Sequence, residues 1–461
     1  MKLRYIAIIV TLVAGVAVLM AQNGGIAGVI SKGDRTRIAV PDFQGKGVAQ
    51  PLMKTFNDTV WNDLADAGVL DMSPKTNYPV DVPQSPADFR APTPGQTVQN
   101  GMRLTDWSNA PVNSNYLGIG NADGSSGNLV LQGYLLNVGL ADPKAAQMFG
   151  NSYFGTLTED GAKKVGHEYA ADILKNMGAQ SLAGTKIYFI SNRSGSQEVW
   201  AMDYDGQNQQ RMSNNGGLTM SPAVSADGKQ VAFVTMVIGK DAGWQIRVVN
   251  TDTRRPQTFL NPTPTTIATP DFSGDGKRLW FSMAIDDGAS HWSQIVSANI
   301  DGSDRRRITQ THSIEVAPRV NPKTGTEVLF ISGRTGRAQL YKMNADGSNV
   351  EMITTGEGEV ANPAWSPDGK MITFAWTRGY EPGNFNIFVM DMAKRVPVQL
   401  TNRNGSNENP YWAPDGVHLV YSNHQKGRST QIFTMLADGT RVTQLTNQGN
   451  NGQPVWAAKT N

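Results

Sequence analysis

Along the second half of the chain, short apolar runs alternate with turn-forming clusters at a nearly fixed interval. Residues 221–233 read SPAVSADGKQVAF, and close variants return as TPDFSGDGKRLWF (269–281), APRVNPKTGTEVLF (317–330, one residue longer), NPAWSPDGKMITF (362–374) and NPYWAPDGVHLVY (409–421). A sixth copy, QPVWAA, begins at Gln453 and stops with the chain. The anchoring prolines are Pro222, Pro270, Pro318, Pro363, Pro410 and Pro454, spaced by 48, 48, 45, 47 and 44 residues. Within each repeat a strand ends in an aromatic residue, a variable loop follows, and a third strand comes next, such as EVWAMD (198–203) or NIFVMD (386–391). A second turn, often Asp-Gly, leads into a fourth. Four antiparallel strands per period of ~40–50 residues is the blade unit of a β-propeller.

Closure follows from counting. The segment 453–457 supplies an innermost strand alone, whereas Lys186–Ile190, Glu198–Asp203 and the stretch near Arg211 supply three strands without an innermost partner. Pairing the two removes both open sheet edges and gives six blades. The alternation of strand direction also sorts the loops. The Asp-Gly turns fall on one rim, and the longer loops fall on the other: 283–291, 332–337, 377–384 and 422–428, with approach loops 263–269, 310–316, 355–360 and 402–408. Function on a rigid scaffold is carried by such loops, so the mouth they surround is the expected binding site.

Before the repeats the pattern is mixed. Thr36–Phe43 predicts a strand, Gln50–Gly68 a helix, Asn128–Val138 a strand with weaker alternation at 153–157, and Thr158–Met177 an amphipathic helix with Val165, Tyr169, Ile173 and Met177 on one stripe. Residues 71–113, rich in Pro, Asp and Asn, predict a surface excursion. The expected fold is thus multidomain, α/β plus all-β: a small α/β domain over 36–180, then a six-bladed propeller over 181–461 closed by the C-terminal strand.

Residues 1–21 carry Lys2 and Arg4, an apolar run from Tyr5 to Met20, and Ala21 ahead of polar Gln22. This is the build of a signal peptide, the alternative being an uncleaved anchor helix. Residues 22–35 form a tail. The chain has no cysteine and a net charge of +2, with its cations scattered among acids, so neither a disulfide nor a nucleic-acid partner is expected.

Candidate chemistry is sparse. There is no Gly-x-Ser-x-Gly elbow and no His-Glu-x-x-His pair, so a fused peptidase or a helix-borne zinc site is not expected. His291, His312 and His424 fall on mouth loops as polar contacts, while His418 falls in a strand. Asp203-Tyr204-Asp205-Gly206 predicts a turn, not a calcium loop, and Arg305–Arg307 a solvated outer strand. Trp365, Trp412 and Trp456 share one register and predict packing between blades. No catalytic residue, cofactor or metal site is expected; the competing class is a secreted hydrolase or carbohydrate-binding propeller that uses the same mouth.

The stretches MSPAVSADGKQVAFVT (220–235) and DYDGQNQ (203–209), the WSPDGK-type turns and the terminal QPVWAA resemble the TolB family of the Tol-Pal cell-envelope system. So do TRIAVPDF (36–43) and the helix GHEYAADILKNMG (166–178), with His167 and Asp172 at its marked positions. The resemblance covers most of the chain beyond the leader. It implies a non-enzymatic, monomeric scaffold of the Gram-negative periplasm that supports outer-membrane integrity and cell division. Its propeller mouth would bind the peptidoglycan-associated lipoprotein Pal, so that the protein is peripheral to the outer membrane. The Pal-contacting loops of the family map onto Met220, Ala268, Thr269, His312, Glu315, Val316, Glu359, Asn407 and Glu408. The family's N-terminal segment binds TolA; here it is the glycine-rich NGGIAGVISKGD (23–34), where only Ile26, Val29 and Ile30 supply its apolar positions.

Overall fold

The computed structural model describes residues 35–90, 100–140, 142–239, 242–262, 265–286, 288, 291–402 and 405–460. The leader and residues 22–34 of the tail, with Ile26, Val29 and Ile30, lie outside them. The chain forms two compact units that divide between Ala183 and Gly184.

The first unit is a six-stranded mixed sheet carrying two long helices. In chain order it contains β1 (Thr36–Ala39), β2 (Gln44–Lys46), α1 (Met53–Asp66), β3 (Leu70–Met72), β4 (Tyr116–Asp123), β5 (Leu129–Asn137), β6 (Gln147–Gly155) and α2 (Glu159–Asn176). The sheet order is β3-β1-β4-β5-β6 with β2 beside β4; β1 is parallel to both neighbours, and β4, β5 and β6 form an antiparallel meander. α2 starts where the Thr158 side chain accepts from the Gly161 N–H at 3.1 Å, with Glu159 and Asp160 against the positive end of the helix, and stops at Gly178, whose φ of 73° suits a residue without Cβ.

α1 and α2 bury Phe56, Val60 and Leu64, and Val165, Tyr169 and Ile173, against one face of the sheet. His167 Nδ1 lies 2.7 Å from Asp63 Oδ2 and ties the helices together, while Asp172 accepts from the Tyr153 hydroxyl at 2.7 Å and from Asn151 at 2.8 Å, tying α2 to β6. Tyr169 is wholly buried, its hydroxyl donating to the Tyr134 carbonyl at 2.8 Å. Its ring occupies the space that Gly133 leaves open: a Cβ there would stand 2.6 Å from Tyr169 Cδ2. Gly133→Ala is therefore expected to overpack the unit and cost about 2 kcal/mol or more, read as a lower urea midpoint, with the midpoint unchanged if the ring can move aside.

The excursion from residue 71 to 113 is not simply a surface loop. Leu104, Trp107 and Val112 pack with Ala39, Leu117, Ile119, Leu136 and Val138 to form a second core on the other sheet face. The Trp107 indole donates to the Gly101 carbonyl at 2.8 Å. Trp107 lies in a single helical turn, Thr105–Ser108, too short to show a period, and β4 escaped prediction with it. β6 also starts at Gln147, ahead of the expected 153–157 alternation.

The second unit is a six-bladed propeller. Five blades run in chain order, each a four-stranded antiparallel sheet: 219–257, 267–307, 315–352, 360–399 and 406–444. The sixth joins Asn451–Ala457 to Lys186–Ser191, Glu198–Asp203 and Gln210–Arg211, in that order. First strands of successive blades touch one another around the ring, from the sixth back to the first, so these are the inner strands.

The repeated motif has a local cause. In blade one the Ser225 hydroxyl donates to Asp227 Oδ1 at 2.6 Å and accepts from the Gln230 N–H at 3.0 Å, while Asp227 accepts from the Lys229 N–H at 3.0 Å. The same set holds Ser273 with Asp275 and Ser366 with Asp368. Ser273 and the Lys277 N–H hold the Asp275 carboxyl below the usual carboxylate range. In blade three Asn321 takes over, accepting from Lys323 and Thr324 N–H groups; in blade five, where the serine is Ala413, His418 turns to Asp415 at 2.6 Å. His418 is thus a turn partner.

Each inner strand carries a register shift at the residue before its proline. Ser221, Thr269, Ala317, Asn362, Asn409 and Gln453 all have φ between 51° and 55°. This is a conformation that side chains with a Cβ seldom adopt, and it recurs in every blade; at three of the six positions a neighbouring blade holds it. The Ser221 N–H donates to Gln453 Oε1 at 2.6 Å, Ala317 N–H to Thr269 Oγ1 at 3.1 Å and Asn409 N–H to Asn362 Oδ1 at 3.4 Å, all across blade boundaries. Trp365, Trp412 and Trp456 are buried at the boundaries, as their shared register predicts.

Candidate functional site at the propeller mouth

The kink before each proline decides which residues reach the mouth. The position two residues before the proline is half-exposed in all six blades: Met220, Ala268, Val316, Ala361, Glu408 and Gly452. The position three before is buried: Thr219, Ile267, Glu315, Val360, Asn407 and Asn451. Of the nine residues mapped onto the mouth, Met220, Ala268, Val316 and Glu408 thus share one ring. His312 and Glu359 are exposed on approach loops. Thr269 sits at the kink, with its hydroxyl 2.9 Å from Ser282 Oγ.

Glu315 and Asn407 are placed differently from the expectation. Glu315 is fully buried; its Oε1 accepts from Thr311 at 2.7 Å, Ser332 at 3.0 Å and Arg334 at 3.1 Å, and its Oε2 is buried without a hydrogen-bond partner. Arg334 in turn lies over the rings of Phe330 and Tyr341. Asn407, 3% exposed, bonds to Asn386 and Asn423. Glu315 holds its approach loop through Thr311, and Asn407 joins strands of blades four and five, so both side chains are turned inward.

Other rim residues carry no sequence motif. Glu198, fully buried in blade six, accepts from the Asn215 and Gly216 N–H groups at 2.7 and 2.9 Å and pins the approach loop to blade one. That loop ends in Leu218, half exposed, and Ile238 and Ile314 are also exposed on this rim. Between blades three and four, Arg337, Glu357, Glu359, Tyr380, Glu381 and Asn384 line a cleft of about 890 Å³. Gln399 donates to the Tyr380 hydroxyl at 2.7 Å and fixes the ring. His291 and His424 are exposed ends of strands, not loop residues.

Beneath the mouth, residues directly after the prolines meet, notably Asp271 of blade two, Arg319 of blade three and Tyr411 of blade five. Arg319 donates to the carbonyls of Pro363 and Pro270, both at 3.2 Å, and stands 3.6 Å from Asp271. Tyr411 packs among Ala364 and Trp412. Among the described residues no cluster of three His, Cys, Asp or Glu side chains could hold a metal ion, and no helix is long and apolar enough to cross a membrane.

The arrangement is that of a closed propeller with a half-exposed ring and apolar knobs at one mouth. The sequence matches the family described as the TolB beta propeller domain over residues 175–379 and 356–461, and the chain belongs to that family. It is 28% identical over 264 residues to a TolB homolog of Chlorobium chlorochromatii, covering 57% of this chain and 46% of that one. It is 29% identical over 222 residues to the Tol-Pal system protein TolB of Bordetella pertussis, 46% of each chain. The matches span less than half the length of these curated relatives. The crystal structure of TolB from Acinetobacter baumannii superposes with a TM-score of 0.69 at 19% identity, covering 92% of this chain and 97% of that one, which shows the shared fold.

Proposed function

We propose that this protein is a non-enzymatic periplasmic scaffold of the Tol-Pal system, monomeric, whose propeller mouth binds the peptidoglycan-associated lipoprotein Pal. Through Pal it sits at the outer membrane and supports envelope integrity and cell division. The tail, with Ile26, Val29 and Ile30, would take TolA. The observation that carries the reading is the ring of half-exposed positions at the mouth, flanked by exposed Leu218 and Ile314. Such a mouth offers area and apolar anchors to a folded partner. Family membership supplies the partner's identity as an expectation.

Titration calorimetry of the chain from Gln22 against the periplasmic domain of Pal from the same organism tests it. Saturable one-to-one binding is expected, weakened about ten-fold or more by Glu359→Lys combined with Glu408→Lys, since reversed rim charges act against a complementary partner. A folded wild-type chain that shows no heat of binding would remove the reading.

A further inference from the structure

Two of the side chains that meet beneath the mouth, Asp271 and Arg319, are charged, and Arg319 joins three blades. The Arg319 guanidinium reaches from blade three to the Pro270 carbonyl of blade two and the Pro363 carbonyl of blade four. Asp271 Oδ1 stands 3.6 Å from it, and Asp271 Oδ2 accepts the Val320 N–H at 2.9 Å. The two side chains are only 11% and 17% exposed. The titratable groups whose charge meets Asp271 are Arg319, from the inner strand of blade three, and Tyr411, from that of blade five; Tyr411 is itself pushed up by burial and by Asp271. Asp271 and Thr269 share one inner strand, 267–272, and Arg319 shares another, 315–320, with Glu315 and Val316. The pair therefore stands at the root of the mouth.

A proton on Asp271 would change two contacts at once. The guanidinium would lose its counter-charge while still shielded from water, and the Val320 N–H would face a neutral oxygen in place of a charged one. Burial already pushes Asp271 up to about 6, against the opposing pull of Arg319 and the Val320 and Phe272 N–H groups. Because the folded value lies above the ordinary one, this group's contribution to stability is complete below about pH 4 and is lost as pH rises through about 6. Near neutrality the fold thus keeps Asp271 charged at a cost in overall stability, and acid removes that cost together with the ion pair that positions Arg319.

We propose that Asp271 and Arg319 form a proton-operated strut that holds the inner strands of blades two, three and four in register, so that protonation of Asp271 loosens the mouth and weakens the grip on a docked partner. This rests on the reading of the mouth as the docking surface. Linkage makes the effect reciprocal: a partner that prefers the charged strut lowers the proton affinity of Asp271.

The chain carries its own reporter. The Trp365 indole donates to the Arg319 carbonyl at 3.0 Å. In 15N spectra of the full chain, with the resonance assigned through Trp365→Phe, the Trp365 indole signal is expected to titrate with a midpoint near pH 6 and to stay flat in Asp271→Asn. If Asp271→Asn does not fold, Arg319→Met serves: loss of the cation moves the midpoint upward. No titration in the wild type, or the same titration in the variant, overturns the strut. In calorimetry against the Pal domain, wild-type affinity is expected to fall about five-fold or more between about pH 7.5 and 5.5, with Asp271→Asn equal at both. Equal weakening of wild type and variant overturns the strut and leaves docking intact. Absence of binding at both pH values removes the docking reading and with it the effect on grip, while the Trp365 titration still decides whether the strut takes up a proton.

Discussion

Trp456→Ala is expected to lower the thermal midpoint of the propeller by roughly 10 °C, from a loss of about 3–5 kcal/mol at 2–4 °C per kcal/mol. Trp456 is 3% exposed and lies on the strand that closes the ring, where Asn451–Ala457 pairs with Lys186–Ser191. Its indole donates to Thr185 Oγ1 at 2.9 Å, and its ring stands 6.5 Å from that of His418 in blade five. Truncation therefore opens a cavity, removes a buried hydrogen bond and weakens the one blade built from both ends of the propeller. Trp365→Ala removes the same side chain in the same register from a blade whose strands are consecutive, and separates packing from closure. Loss of the latch exposes two sheet edges, so amide exchange in Trp456→Ala should spread through the sixth blade and its neighbours. In Trp365→Ala it should stay local. Equal, local exchange in both variants would mean that the ring has no weak seam.

The propeller was legible because its turns repeat a chemistry as well as a period. Ser225, Asp227 and Lys229 hold one another in the same way as their counterparts in blades two and four, so the motif is its own structural argument. Closure was legible because it is a matter of counting strands. The second core of the first unit was not, since Leu104, Trp107 and Val112 come from a single helical turn at Thr105–Ser108 and its flanks and leave no period to read. At the mouth, topology sorted the loops onto one rim but did not give the direction of each side chain. Strict alternation along the inner strand fails at the left-handed residue before each proline, and nothing in Glu315-Val316-Ala317-Pro318 announces that Glu315 turns in and Val316 out. Asp271 and Arg319 went unread for a different reason. They occupy the same place in successive repeats, 48 residues apart, and only ring closure brings that place together.

Glu315 puts the difference between contact and support to the test. Arg334→Met is expected to cost about 2–3 kcal/mol, because it strands a carboxylate that is fully buried. The upper end of the range for broken buried pairs is not expected, since Arg334 itself is 26% exposed and water already screens part of the pair. Glu315→Lys should cost more, placing two cations where Thr311 and Ser332 had a common acceptor. Glu315→Gln keeps the shape and an acceptor while losing the charge, so it should lower the urea midpoint only modestly and speed amide exchange over residues 311–316. A residue that touched the partner directly would behave in the opposite way in Glu315→Gln, with the urea midpoint unchanged and affinity lost. Burial at 0% and three hydrogen bonds to one oxygen argue for support, and a falling urea midpoint with matched loosening of the approach loop is the result that support requires.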